Sequence, residues 1–489
     1  MTAPASPLDP QLRDPTLLKS QAYVDGRWIG EPADPVENPA SGAEIAKVPR
    51  LGAQEAEAAV AAASRAFADW STRLANERAA LLRRWFELII EQREDLAKIL
   101  TMEQGKPISE ARVEIEYAAS FVEYYAEEAR RIRGEILPSH RGDARVLVMR
   151  QPIGVCAAIT PWNFPAAMIT RKCAPALAAG CTVVLKPAPE TPLTALALAE
   201  LAHRAELPPG TLNVITGDAE AIGGQWCDDP RVRFLGFTGS TAVGKQLMRQ
   251  AASTVKKVAL ELGGNAPFIV FADADLDAAV EGAIAAKFRN MGQTCICANR
   301  LFVHDSVHDP FVQRLAERVG QLVVGNGLEE QTTQGPLITQ AAVEKVQSLL
   351  QEAVAGGAEI VTGGQPHALG GTFFQPTVLR NVSGSMEITR QEIFGPVAAV
   401  TRFQSEAEVI AMANDTIYGL AAYFYGRDLG QAFRVAERLE YGMVGINSTA
   451  LGAATVPFGG MKQSGIGREG SHHGIDEYLE HKYVLLGGL

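Results

Sequence analysis

From residue 151 onward the chain repeats one pattern, a short apolar run, a turn and then a helix, and this alternation limits the possible folds more than any other feature. Residues 154–159, 182–185, 212–215, 232–237 and 258–262 read as strands, with helices predicted over 164–179 and 194–205. A second series places strands at 268–271, 301–303, 359–362, 377–379, 397–403 and 442–446, with a helix over 276–288. Successive strand–helix units with hydrophobic strands imply mostly parallel sheets covered by helices, so the fold class is α/β. At 489 residues the chain suits two or three domains.

The region before residue 151 has a different texture. Residues 1–20 are polar and proline-bearing and read as a loose arm, followed by short strands at 23–29 and 44–48. Helical spacing of apolar residues predicts helices over 53–70, 74–103 and 108–130, the second stopped by Gly105-Lys-Pro107. An alternating strand at 145–150 belongs to an isolated ribbon, roughly residues 125–150. The closing segment 481–486 is apolar enough either to pair with another strand or to form an ordinary edge.

Charge and cysteine usage narrow the function classes. A formal charge of −11 provides no basic field for a nucleic acid, although a local arginine pair can still hold a small anion. Met1 to Pro10 lacks the basic and apolar parts of a secretory signal, and no apolar run is long enough for a spanning helix. The six cysteines are scattered except for Cys295-Ile-Cys297, which fits neither a disulfide framework nor a zinc hook, and a reducing cytoplasm is expected.

Residues with chemistry cluster in a few stretches. Cys295 follows the small-residue turn of Phe288-Arg-Asn-Met-Gly-Gln-Thr-Cys-Ile-Cys297, and Glu261 stands at the end of an apolar strand, 34 residues earlier, with Gly263 and Gly264 behind it. A thiol and a carboxylate that the chain can bring together suit covalent chemistry on a carbonyl, with Cys297 the rival nucleophile. Asn163, between Pro161 and Pro165, is either a turn residue or an amide donor to an oxyanion. The G-x-G-x-x-G fingerprint is absent; instead a strand runs into Thr238-Gly-Ser240, where Ser240 can cap a helix start that faces an anion. No histidine accompanies these stretches, and the chemistry calls for no metal.

Ile159-Thr-Pro-Trp-Asn-Phe-Pro165, Lys186-Pro-Ala-Pro-Glu-Thr-Pro192, Phe237-Thr-Gly-Ser-Thr-Ala-Val-Gly244 and Gln391-Glu-Ile-Phe-Gly-Pro396, together with the two stretches around Glu261 and Cys295, resemble the NAD(P)-dependent aldehyde dehydrogenases. The segment 287–300 and the tail 470–489 look most like the bacterial succinate-semialdehyde dehydrogenases. The resemblance implies a Rossmann-like cofactor domain (1–124 and 148–262), an α/β catalytic domain (263–462) and a small β oligomerisation domain (125–147 and 463–489). It implies Cys295 as nucleophile, Glu261 as general base and Asn163 as oxyanion donor. For the cofactor it implies contacts from Thr160, Pro161, Trp162, Lys186, Ala188, Pro189, Gly217, Gly239, Ser240, Val243, Leu262, Glu392 and Phe394. Pro189 stands where NAD-specific relatives commonly carry a glutamate, with Glu190 one place later, so NADP is permitted beside NAD and slightly favoured.

The resemblance also implies the substrate, a small carboxylated aldehyde whose far end is gripped by Arg171 and Arg289, with Phe458, Gly452 and Ala453 beside it. Relatives usually carry a serine in that last loop; here Gly452 and Ala453 leave more room, so glutarate semialdehyde competes with succinate semialdehyde. A homodimer assembling to a homotetramer is expected, with no membrane or nucleic-acid partner. Two other classes stay open: a CoA-acylating relative, disfavoured by Glu261, and a non-catalytic relative, disfavoured by keeping Cys295, Glu261, Asn163 and Glu392 together.

Overall fold

The apolar runs pair in parallel. In the computed structural model, which describes residues 11–489, Val155–Ile159, Thr182–Lys186, Leu212–Val214, Val232–Thr238 and Lys257–Glu261 form the centre of an eight-stranded sheet. Their spatial order is third, second, first, fourth, fifth in the chain. The first and fourth strands are therefore neighbours whose connections leave in opposite directions, which opens a crevice beyond their carboxyl ends. Thr160–Asn163 and Gly239–Ser240 emerge at that crevice. The hairpin Ala22–Val24/Arg27–Ile29 extends one edge, and Gly465–Ile466 pairs antiparallel with Lys257–Glu261 at the other.

The second series forms a seven-stranded sheet, six strands of it parallel and Glu359–Thr362 antiparallel at one edge. Ala421–Tyr425 is an interior strand that the sequence pattern did not reveal. It is buried on both faces, so its residues show no alternation, and it is too short to stand out. The chain passes from the first sheet to the second through residues 262–265, so Glu261 lies beside the seam. A Cβ on Gly264 would sit 2.1 Å from the Cys295 carbonyl oxygen, so only glycine lets the two sheets approach there.

Elsewhere the structure adjusts the expectations. The long helix expected over 74–103 breaks at Gln92 into Ala75–Glu91 and Arg93–Gln104, and Gly105 ends the latter at φ +94°. Residues 11–20 are not a loose arm: Leu12 and Leu17 are buried, and Asp95 accepts hydrogen bonds from the backbone N–H of Arg13 (3.1 Å) and Asp14 (2.7 Å). Two leucines in a polar stretch are too sparse a signal to predict that anchoring. Met1 to Pro10, read as carrying no secretory signal, lies outside the described residues.

The apolar tail has a partner. Leu479–Gly487 pairs antiparallel with Ala144–Pro152 along the length of both strands, and Glu135–Leu137 completes a three-stranded sheet. The expected ribbon begins later than residue 125, because the helix Ile108–Glu128 runs into it. Its main strand continues past position 147 to Pro152. Among the described residues no helix is long and apolar enough to cross a membrane.

Gly217 shows how tightly the connections are held. At φ +130° its missing Cβ would lie 2.2 Å from the Leu51 carbonyl oxygen, at a bridge that joins the link before Ala53–Trp70 to the first sheet. Gly217→Ala is expected to lower unfolding stability by roughly 2–3 kcal/mol, the scale of a strained backbone position. Equilibrium urea denaturation of both proteins measures it; an unchanged midpoint would contradict the packing described.

Candidate active site

The thiol loop is built on an unfavourable backbone. After the helix Leu276–Phe288, Asn290 (φ 51°), Met291 (φ 59°) and Gly292 (φ 72°) all take the left-handed conformation, which is costly for the first two. Neighbours hold them there. Glu110 Oε2 accepts from the Asn290 N–H (2.9 Å), Gln104 Nε2 donates to Asn290 Oδ1 (3.0 Å), and Met291 is buried in an apolar cluster. A Cβ on Gly292 would overlap the Gly395 carbonyl oxygen at 2.3 Å. The turn delivers Cys295, partly exposed, to the junction of two cavities, both of which it lines. Cys297, the rival, is buried, lines neither cavity, and its Sγ takes a hydrogen bond from Lys287 Nζ (3.3 Å).

The first cavity, about 330 Å³, lies at the crevice of the first sheet. Of the residues expected to hold the cofactor, Pro161, Trp162, Gly239, Ser240, Leu262, Glu392 and Phe394 line it. Ser240 Oγ caps Thr241–Ala251 by accepting from the Val243 N–H (3.3 Å). Trp162 and Phe394 meet edge to face at 5.4 Å. Glu392 accepts from the Gly264 N–H (3.0 Å), and burial pushes its carboxyl up to about 7. A Cβ on Gly263 would come within 2.7 Å of Glu392 Oε2. A capped helix start that favours an anion and a sheltered carboxylate that accepts hydroxyls fit a nicotinamide dinucleotide.

Thr160, Lys186, Ala188, Pro189, Gly217 and Val243 do not line this cavity. Thr160, Lys186 and Ala188 are buried behind it, Val243 is exposed, and Lys186 Nζ donates to the Pro187 carbonyl (3.1 Å). Pro189 faces solvent, while Glu190, one residue later, lines the cavity. Glu190, noted one place after Pro189, thus puts a carboxylate in the cleft wall although position 189 has none.

Asn163 is clamped from two sides. Its Nδ2 donates to the Gln293 carbonyl (3.0 Å), just before Cys295. Its own carbonyl accepts from Lys106 Nζ (2.8 Å) and Asn290 Nδ2 (3.0 Å). Lys106 is fully buried, 2.5 Å from Glu114 Oε2 and 3.9 Å from the Phe164 ring centre. Glu114 Oε1 accepts from the Ala166 and Ala167 N–H groups, where Ala167–Ala179 begins.

Glu261 is buried at the end of Lys257–Glu261, and neither carboxylate oxygen has a hydrogen-bond partner among the described residues. Burial raises its pKa well above the carboxylate range; the Glu469 charge adds to this, and Arg171, Lys172 and Arg468 oppose it. Glu469 behaves oppositely: burial disfavours its charge, but the Lys172 ammonium and the Arg171 guanidinium more than compensate and hold it ionised. Burial pushes the Cys295 thiol up to about 12, and Glu392 adds to this.

The second cavity, about 490 Å³, holds Arg171, Arg289, Gly452 and Phe458 in its wall, but not Ala453, which is exposed. The two arginines are in different states. Arg171 is 1% exposed, lies 4.0 Å over the Phe458 ring, and makes a 2.7 Å ion pair with Glu469 whose angle is not that of a hydrogen bond. Arg289 is exposed and lies 5.3 Å from the Phe164 ring; its charge also acts on Glu110 and Tyr117, but it makes no ion pair or hydrogen bond among the described residues.

Sequence reasoning did not pick out Lys106, Glu114, Lys172 or Glu469. Lys106 stands in Gly105-Lys-Pro107, read only as a helix stop, and Lys172 follows Arg171 in a helix that is mostly apolar, where a second cation could have been a signal. Glu469 has none: it lies in a polar, glycine-rich segment and reaches the site only through the tertiary fold.

A doubly wound crevice that meets a sheltered thiol and an unpartnered carboxylate suits a nicotinamide-dependent dehydrogenase. The chain belongs to the aldehyde dehydrogenase family, whose model matches residues 28–484. It is an oxidoreductase acting on an aldehyde group with NAD or NADP. It is 58% identical over 484 residues to a glutarate-semialdehyde dehydrogenase of Pseudomonas aeruginosa, covering 98% of this chain and 100% of that one. It is 56% identical over 481 residues to an NADP-dependent succinate-semialdehyde dehydrogenase of Escherichia coli, with the same coverage. Among solved structures it superposes on a succinate-semialdehyde dehydrogenase of Burkholderia pseudomallei with a TM-score of 0.96 at 56% identity, over 97% of this chain and 99% of that one.

The raised pKa of Cys295 gives a pH prediction. A thiol shifted upward loses its thiolate at higher pH than usual, so its reactivity climbs throughout the neutral and alkaline range. Iodoacetamide labelling of cofactor-free Cys297→Ala protein is expected to quicken about tenfold per pH unit from roughly pH 7 to 10, with no plateau. A plateau below about pH 8 would contradict it.

Proposed function

We propose that this chain oxidises a short aldehyde with a distal carboxylate, succinate semialdehyde first and glutarate semialdehyde as the alternative, to the corresponding diacid. The observation that carries this reading is Arg289, an exposed guanidinium with no ion pair or hydrogen bond among the described residues, in the wall of the cavity that opens on Cys295, with the Glu110 carboxyl in the same wall. A guanidinium suits a carboxylate, and an aldehyde with a purely apolar tail has no use for one. The relatives named for succinate and glutarate semialdehyde support the same substrate class. Gly452 in the cavity wall leaves room for the longer chain.

In this reading Cys295 Sγ attacks the aldehyde carbon and Glu261 takes the thiol proton, directly or through water. Its raised pKa makes its ionised form a good base. The new oxyanion is held by Asn163 Nδ2 and the Cys295 N–H, for which Asn163 leaves the Gln293 carbonyl. A nicotinamide in the first cavity supplies the hydride acceptor. Glu261 passes the thiol proton to solvent, and in its ionised form then deprotonates the water that hydrolyses the resulting thioester and releases the Cys295 sulfur. NADP and NAD both serve: Pro189 imposes no clash with a phosphate, and Glu190 in the cleft limits any preference.

The division into a cofactor domain (1–124, 148–262), a catalytic domain (263–462) and an oligomerisation domain (125–147, 463–489) is supported by the three main sheets, although the strand Ala144–Pro152 spans one boundary. Ile136, Tyr483, Leu485 and Leu486 are exposed on the three-stranded sheet, which supports a homodimer joined there and a homotetramer built from it. Six free cysteines suit a reducing cytoplasm.

Two measurements test the reading. Steady-state rates at 340 nm with succinate semialdehyde, glutarate semialdehyde and butanal, each with NAD and NADP, are expected to favour the carboxylated aldehydes. Arg289→Ala should then lose about ten- to a hundredfold in kcat/KM on the semialdehydes, the size of a charge-assisted hydrogen bond, and little on butanal. Arg171→Ala should lose on all three, because it also strips the buried Glu469 of a partner. Equal losses on butanal and semialdehyde in Arg289→Ala would sink the carboxylate reading. For the base, Glu261→Gln should give a rapid-mix burst of reduced cofactor followed by slow turnover, and unaltered steady-state activity would remove Glu261 from the role.

A further inference from the structure

Tyr117 stands in the wall of the second cavity, together with Arg171, Arg289, Gly452 and Cys295. It is half-buried on the helix Ile108–Glu128, and its hydroxyl makes no hydrogen bond among the described residues. The ring is held in place: it packs edge to face on Phe121 at 4.9 Å, and the Arg171 guanidinium approaches the same Phe121 ring at 5.6 Å. Tyr117 is thus a fixed donor with no partner in a cavity that holds two guanidinium groups.

Gly452 explains why the hydroxyl can stand there. A Cβ at position 452 would lie 3.2 Å from Tyr117 Oη and 3.4 Å from its Cζ, closer than side chains comfortably pack. The volume that a side chain on the 449–452 loop would fill is occupied by the phenol. The bare backbone at Gly452 and the unpartnered hydroxyl are therefore two sides of one arrangement.

From this we infer that Tyr117 determines specificity by donating its O–H to the distal carboxylate of the substrate, beside Arg289. The proposal rests on the semialdehyde reading above and adds a named neutral donor to it. A phenol adds a directional hydrogen bond to an oxyanion without adding a charge. It also supplies a hydroxyl beside position 452, where the loop itself has no side chain.

The test uses wild type, Tyr117→Phe, Gly452→Ser and the double variant Tyr117→Phe/Gly452→Ser, each assayed with succinate semialdehyde, glutarate semialdehyde and butanal. Tyr117→Phe keeps the ring and its packing, so the fold and the butanal rate should be unchanged. Its KM for the better semialdehyde should rise, with kcat/KM falling about tenfold, as for one hydrogen bond to a charged group. Gly452→Ser alone should also weaken the semialdehyde, because it presses on the hydroxyl. The double variant should recover part of the loss, since removing Oη makes room for a serine that can donate in its place. If wild type prefers a semialdehyde to butanal but Tyr117→Phe retains that preference in full, the tyrosine proposal fails and the substrate reading stands. If wild type shows no preference for either semialdehyde, the substrate reading itself fails. Equal loss on butanal in Tyr117→Phe would overturn the proposal by assigning the residue to the scaffold.

Discussion

A single buried ammonium ties the site together. Lys106 Nζ lies between Glu114 Oε2 and the Asn163 carbonyl, and through them reaches the start of Ala167–Ala179 and the left-handed turn before Cys295. Placing a lysine there is expensive: burial lowers its pKa, and only the opposed carboxylate and the carbonyl keep its charge tolerable. The cost explains the rigidity. Loss of either charged partner would leave the other buried and unpaired, a penalty on the order of 3–5 kcal/mol. The loop carrying Asn163 and the loop carrying the thiol are thus bound to one point, although 132 positions separate Asn163 from Cys295.

Around that fixed point the titratable groups are desolvated, and that sets their protonation. Burial moves both Cys295 and Glu261 toward their neutral forms. Glu469, a carboxylate in the same cluster, stays ionised because Lys172 and Arg171 surround it. Two carboxylates a short distance apart are thereby pushed to opposite states, an arrangement that leaves one able to exchange a proton and the other to anchor positive charge. It also separates the two arginines. Arg171 is largely committed to the protein, whereas Arg289 is exposed and makes no ion pair among the described residues.

What the sequence by itself determined was the material carried by local pattern. Alternating apolar runs and helices specified two parallel sheets, because a strand buried on both faces must be apolar and its connection must be a helix. The helices Ala53–Trp70 and Leu276–Phe288 follow directly from spacing. Cys295, Glu261, Asn163 and Glu392 were visible because each sits in a short, unusual stretch at the end of an element, where the chain needs glycine or proline beside it. The strand Ala421–Tyr425, the break at Gln92 and the anchoring of residues 11–20 were not visible, since none leaves a periodic signal long enough to read.

Only the tertiary structure decided which charges are paired. A lysine in a helix stop, a glutamate in a glycine-rich tail and a tyrosine on an amphipathic helix look ordinary in one dimension, yet Lys106 and Tyr117 meet the site together with Glu469, which lies hundreds of positions further along the chain. The same holds for Glu190, which enters the cleft although its neighbour Pro189 points to solvent. Sequence records the type of each group, but its energy depends on desolvation and on neighbours a few ångströms away, and those are properties of the packed chain alone.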